Sequence, residues 1–88
     1  MTVAISYDLK KPGQTYDSLY DAIRKLGVTW HGLESTWLVD TQLSTQQVAA
    51  MLRGHIDPND YLLVVRASGP AAGMLPENSW SWITPRLG

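Results

Sequence analysis

Apolar and polar residues alternate from the start of the chain. Val3, Ile5 and Tyr7 fall on one side of an extended segment, and Ala4, Ser6 and Asp8 on the other, which predicts a strand over Val3–Asp8. Lys10-Lys11-Pro12-Gly13 breaks it. The period then lengthens: Tyr16, Leu19, Tyr20, Ile23 and Leu26 share one helical stripe, predicting a helix over Tyr16–Leu26. Thr15 is its expected N-cap, Asp17 and the Arg24-Lys25 pair suit the two ends of its dipole, and Gly27 is the expected stop. Val28–Leu33 and Thr36–Thr41, rich in Trp, Thr, Val and Leu, read as two strands turning at Glu34-Ser35. No Asn-Gly or Asp-Gly marks that turn, so one long bent strand is the alternative. Ser44 followed by Gln47 is a capping-box signature, with Leu43 and Val48 placed for a hydrophobic staple. Val48, Met51, Leu52, His55 and Ile56 line the helix that follows, and Asp57-Pro58-Asn59-Asp60 ends it. Tyr61–Ala67 is an almost unbroken apolar run, the pattern of a strand buried on both faces. Beyond the Gly69–Gly73 loop, Trp80-Ser81-Trp82-Ile83 reads as a short last strand or as a hook.

The resulting order, βαββαβ with a C-terminal piece, is the ferredoxin-like α+β arrangement: a four-stranded antiparallel sheet with both helices on one face. All 88 residues belong to one domain. The second face also carries apolar residues, because Leu62 and Val64 alternate with Leu63 and Val65. The sheet therefore needs a second cover. A further copy of the chain is the simplest one, giving an isologous homodimer. The tail 76–88 is expected to pack on its own subunit or on the partner's.

Composition narrows the function classes. There is no cysteine, so neither disulfides nor thiolate metal sites stabilise this small chain. Association is the remaining stabiliser. The N-terminus lacks the basic start and apolar run of a signal peptide, and no segment approaches the length of a membrane span. A cytoplasmic protein without membrane contact is expected. Seven Lys+Arg against eight Asp+Glu argue against long nucleic acid, whose binding rests on neutralising phosphates. A small anionic ligand remains compatible. The aromatics are four Trp and four Tyr with no Phe, so every ring carries a polar handle and favours a site with one wet end.

No serine or threonine has a nucleophile signature, and no phosphate loop or zinc pattern occurs. An independent enzyme is not expected. His55 reads as a packed helix residue, and His31 as a candidate contact beside Trp30. Arg66 is a cation in an apolar strand and needs a partner: Glu34 or Asp40 on a neighbouring strand, or the phosphate of a ligand. The candidate ligand set is Tyr7, Lys10, Trp30, His31, Ser35, Thr36, Trp37, Arg66, Ser68 and Trp80. Its rings would stack on bases, its cations would hold phosphates, and its hydroxyls would complete the hydrogen bonding. Lys11 adds a second charge beside Lys10. The expected function is a non-catalytic dimeric binder of a small nucleotide-type ligand, one able to sequester a cyclic nucleotide immune signal if the chain is phage-encoded. A protein-interaction module hooked by the tail is an alternative.

The segments Ile5-Ser6-Tyr7-Asp8-Leu9, Leu26-Gly27 and Trp30-His31-Gly32-Leu33-Glu34-Ser35-Thr36-Trp37-Leu38-Val39 resemble the small phage and bacterial proteins labelled SinR-like. More distantly, the strand-ending Tyr7-Asp8 and the element order resemble the small CRISPR-associated ferredoxin-like nuclease-fold family. That second resemblance implies a homodimer and makes Asp8 the matching metal-ligand position, facing its mate across the pair. A magnesium-dependent nuclease or nucleic-acid-binding protein is the corresponding alternative. In that reading Asp8 is the catalytic candidate and Mg²⁺ the cofactor; in the leading reading there is none.

Overall fold

The computed structural model describes residues 1–10 and 16–87. The elements follow in the order β1 (Thr2–Asp8), α1 (Asp17–Arg24), β2 (Val28–Leu33), β3 (Thr36–Asp40), α2 (Thr45–Arg53), β4 (Tyr61–Ala67) and α3 (Glu77–Leu87). The strands form one antiparallel sheet ordered β2-β3-β1-β4. This is the ferredoxin-like α+β fold expected from the alternation. β2 and β3 are separate strands, with a register irregularity between Trp30 and Leu33.

The main core lies between the sheet and the helix pair. Val3, Ile5 and Tyr7 of β1 and Trp37 and Val39 of β3 meet Tyr16, Leu19, Ile23 and Leu26 on one side and Val48 and Leu52 of α2 on the other. The α2 capping box is complete: the Ser44 hydroxyl accepts from the Gln47 N–H at 3.1 Å, and the Gln47 amide oxygen accepts from the Ser44 N–H at 2.9 Å. Leu43 packs against the core as the staple requires. The expected N-cap of α1, Thr15, lies outside the described residues, as do Lys11, Pro12 and Gly13; Tyr16 stands at the cap position. Gly27 does not stop α1 through a left-handed turn. The helix closes at Lys25 in right-handed geometry, and Gly27 is needed for space, since a Cβ there would strike the Asp40 backbone carbonyl.

Two expectations need correction. The C-terminal piece is not a strand but the eleven-residue helix α3. A last strand would need a sheet edge for its backbone groups, whereas a helix satisfies them internally. Ser79 and Ile83, four apart, are its buried positions, with Glu77 in the first turn and Arg86 in the last. Pro85 removes one N–H from this helix, and Arg86 Nη1 donates to the Trp82 carbonyl at 2.9 Å. α3 lies over the sheet face opposite α1 and α2. There it lies against β2, and Arg86 reaches Asp40 at 3.4 Å. Leu38, on that face, is buried.

The second correction concerns β4. Its apolar run is not buried on both faces. As the last strand of the sheet it has α2 on one side only, and Tyr61, Leu63 and Val65 remain 67, 59 and 42% exposed. Among the described residues, no helix is long and apolar enough to cross a membrane.

Candidate functional site

Cross-strand register assigns each candidate residue to a face, because directly opposed residues point the same way. Ile5 stands opposite Trp37 and Val64, and this row faces α1 and α2. Ala4 stands opposite Leu38 and Val65, with Trp30 beyond Leu38, and this row faces α3 and the open side. Trp30 and Trp37 are thus on opposite faces of the sheet.

On the helix side, Tyr7, Trp37 and His31 come together. Trp37 is only 1% exposed. The His31 ring stacks on it at 3.8 Å between centroids, nearly parallel at 9°. Tyr20 lies 6.1 Å from Trp37, and the Arg24 guanidinium lies 5.4 Å from the indole centroid. Trp37 Nε1 donates to the Tyr7 hydroxyl at 3.0 Å, and that hydroxyl donates to the Glu34 carbonyl at 3.2 Å. His31 Nε2 is 3.2 Å from the same carbonyl. Burial pushes the Tyr7 hydroxyl above its ordinary pKa, against the opposing effect of the Trp37 hydrogen bond. The indole is consumed inside the protein and offers no free face for a ligand. Sequence reading missed Arg24 and Tyr20 as its neighbours, although Tyr20, Ile23 and Arg24 follow from the helical stripe of α1.

The open side holds a different group. Part of this face lies under α3, and the remainder forms a shallow depression lined by Ser6, Tyr7, Asp8, Tyr61, Leu62 and Leu63. Its floor is a row in which Ser6 stands between Thr36 and Leu63, and the Ser6 and Thr36 hydroxyls are 3.1 Å apart. Asp8 and Tyr61 face each other at its rim. Lys10 Nζ is 2.6 Å from Asp8 Oδ2 and 5.4 Å from the Tyr61 ring centroid. The hydrogen bond and charge of Asp8 raise the Lys10 pKa, so the ammonium stays charged. The depression combines an exposed aromatic ring with an ammonium over it, the Lys10–Asp8 ion pair and two hydroxyls.

The remaining candidates lie elsewhere. Ser35 sits in the exposed β2–β3 turn, where its carbonyl accepts the Tyr7 N–H. Trp80 is on α3. Arg66 and Ser68 lie at the far end of β4 from Tyr61, about 20 Å away at strand spacing. Arg66 stands opposite Val3 and so projects to the helix side. It is exposed, with no hydrogen bond or ion pair among the described residues; neither Glu34 nor Asp40 is its partner. One small ligand cannot touch both Lys10 and Arg66 of a single copy. His55 is half-buried at the end of α2.

A structural clamp also went unread. Asp60, buried, accepts the Lys10 N–H at 2.7 Å, the Tyr16 hydroxyl at 3.1 Å and the Asp57 N–H at 2.8 Å. It ties the start of β4 to the end of β1, beside the depression. The turn chemistry of Asp57-Pro58-Asn59-Asp60 locates this residue but not its long-range partners.

A hard divalent cation takes about six oxygen ligands; one copy offers the single Asp8 carboxylate, ion-paired with Lys10. Among the described residues, no three His, Asp or Glu side chains converge on a common point. Comparison with known protein families and with curated proteins finds no match to the chain.

Proposed function

We propose that the protein is a non-catalytic binding protein for a small, flat, anionic ligand of the nucleotide type, held in the depression at the Tyr61 end of the open sheet face. One observation carries this reading: the exposed Tyr61 ring has the Lys10 ammonium over it and the Ser6 and Thr36 hydroxyls along the same floor. A base stacking on Tyr61 leaves its phosphate toward Lys10, where it takes the place of the Asp8 carboxylate as partner of the ammonium, with the hydroxyls able to donate or accept. Base–aromatic stacking contributes about 1–3 kcal/mol per base, so one ring and one cation support modest affinity per copy. The uncovered apolar residues of the same face support a working unit of two copies, which doubles the number of such sites.

Calorimetry against mono-, cyclic di- and cyclic trinucleotides tests the reading, with cyclic nucleotides as the narrower expectation. Binding of at least one member is expected, with loss of roughly tenfold or more in Tyr61→Ala. Binding that is unchanged in Tyr61→Ala, or silence across the panel at high concentration, contradicts it.

A further inference from the structure

We infer that β4 is a homodimerisation edge: two copies join by antiparallel pairing of their β4 strands about a two-fold axis at Leu63, extending each four-stranded sheet into the other. The inference rests on the reading that the protein works as two copies, and it names the surface and register.

An unpaired strand edge offers its backbone N–H and C=O groups to any strand that fits, and proteins that must avoid this interrupt the edge with Pro, Lys, bulges or short length. β4 has none of these. Its seven residues run Tyr61-Leu62-Leu63-Val64-Val65-Arg66-Ala67 without Pro, Gly or Lys, and its register with β1 is unbroken from Asp8–Tyr61 to Thr2–Ala67. The other edge, β2, is irregular between Trp30 and Leu33 and contains Gly32.

Charge selects the direction. The end of β4 carries the exposed Arg66, which has no hydrogen bond or ion pair among the described residues. Parallel pairing would set the two Arg66 guanidiniums side by side, whereas antiparallel pairing sends them to opposite ends of the joint. With the axis at Leu63, Arg66 of each copy stands across from Asp60 of the partner subunit, a position whose carboxylate is buried and already accepts from Lys10, Tyr16 and Asp57 of its own subunit. Both lie on the helix side, as does Leu62 against Val64 of the partner subunit. On the open side, Leu63 meets its own counterpart and Tyr61 meets Val65 of the partner subunit, so the flanks of the three exposed apolar residues pack against one another. Tyr61 still stands above the sheet plane, so its ring face remains free and the two depressions adjoin across the axis.

Leu63→Cys tests this in the full chain, which has no other cysteine. Opposed Cβ atoms in such a pair are about 4.5–5.5 Å apart, close to what a disulfide spans. On mild oxidation Leu63→Cys should form a covalent pair in high yield and Val65→Cys far less, while the unmodified protein sediments as two chains. Arg66→Glu should weaken self-association about tenfold without altering the circular dichroism of the monomer. Two-chain particles in which Leu63→Cys fails to link, or links no better than Val65→Cys, overturn the β4 edge while leaving the paired form standing. A single chain at every concentration overturns both and assigns the edge to an extended peptide from another protein.

Discussion

The two edges of this sheet solve the same problem in opposite ways. β2 closes itself: its pairing with β3 is irregular between Trp30 and Leu33, the Trp30 ring lies where a Cβ on Gly32 would be, and His31 turns inward to stack on Trp37. β4 keeps an unbroken ladder to β1 and leaves three apolar side chains in solvent. Aromatic rings thus pack over one edge, whereas on the other the Tyr61 ring stays exposed. An edge that is regular, apolar and unguarded is a surface for pairing.

Substitutions separate the two edges, and their expected effects on stability span a wide range. Trp37→Ala should cost most, about 3–5 kcal/mol in denaturant unfolding, because it empties a core position and frees His31, Arg24 and Tyr20 together. Tyr7→Phe keeps the ring but leaves the buried Trp37 N–H without its acceptor, for a loss of about 1–3 kcal/mol. Gly32→Ala should displace the Trp30 indole, detectable by tryptophan fluorescence, and cost about 1 kcal/mol. Val65→Lys, on the exposed edge, should change monomer stability by no more than about 0.5 kcal/mol yet abolish sedimentation as two chains. A large stability loss in Val65→Lys would show that β4 is not free in the monomer.

Alkaline pH probes the closed edge more finely. The Tyr7 pKa is raised above 10.0, chiefly by burial. A group whose folded pKa exceeds its unfolded value contributes stability that is full below the unfolded pKa and is lost as pH rises through the folded one. The stability gap between the native chain and Tyr7→Phe should therefore be constant through neutral pH and narrow only above about pH 10. A gap that changes near neutrality would place its cause elsewhere.

Much of the fold was legible because its signals are local. The alternation of Val3, Ile5 and Tyr7, the stripe of Tyr16, Leu19 and Ile23, and the Ser44–Gln47 box each depend on residues a few positions apart. The helix α3 was not legible, since Trp80-Ser81-Trp82 alternates like a strand and Pro85 reads as a break. The run in β4 gave no hint that it ends the sheet; burial on both faces and exposure on one come from the same apolar string, and only strand order distinguishes them. The candidate site suffered from the same dependence on register. Trp30 and Trp37 are both strand tryptophans, yet their cross-strand partners Leu38 and Ile5 send them to opposite faces. Tyr61, which carries the open aromatic face, read in the sequence only as the first residue of a buried strand.

Amide hydrogen exchange along β2 and β4, measured at low and high protein concentration, tests the open edge most directly. Pairing of β4 with β4 predicts that the outward-facing amides of Tyr61–Ala67 become protected as concentration rises, while those of Val28–Leu33 do not. Outward amides in β4 that exchange equally fast at both concentrations would contradict the account.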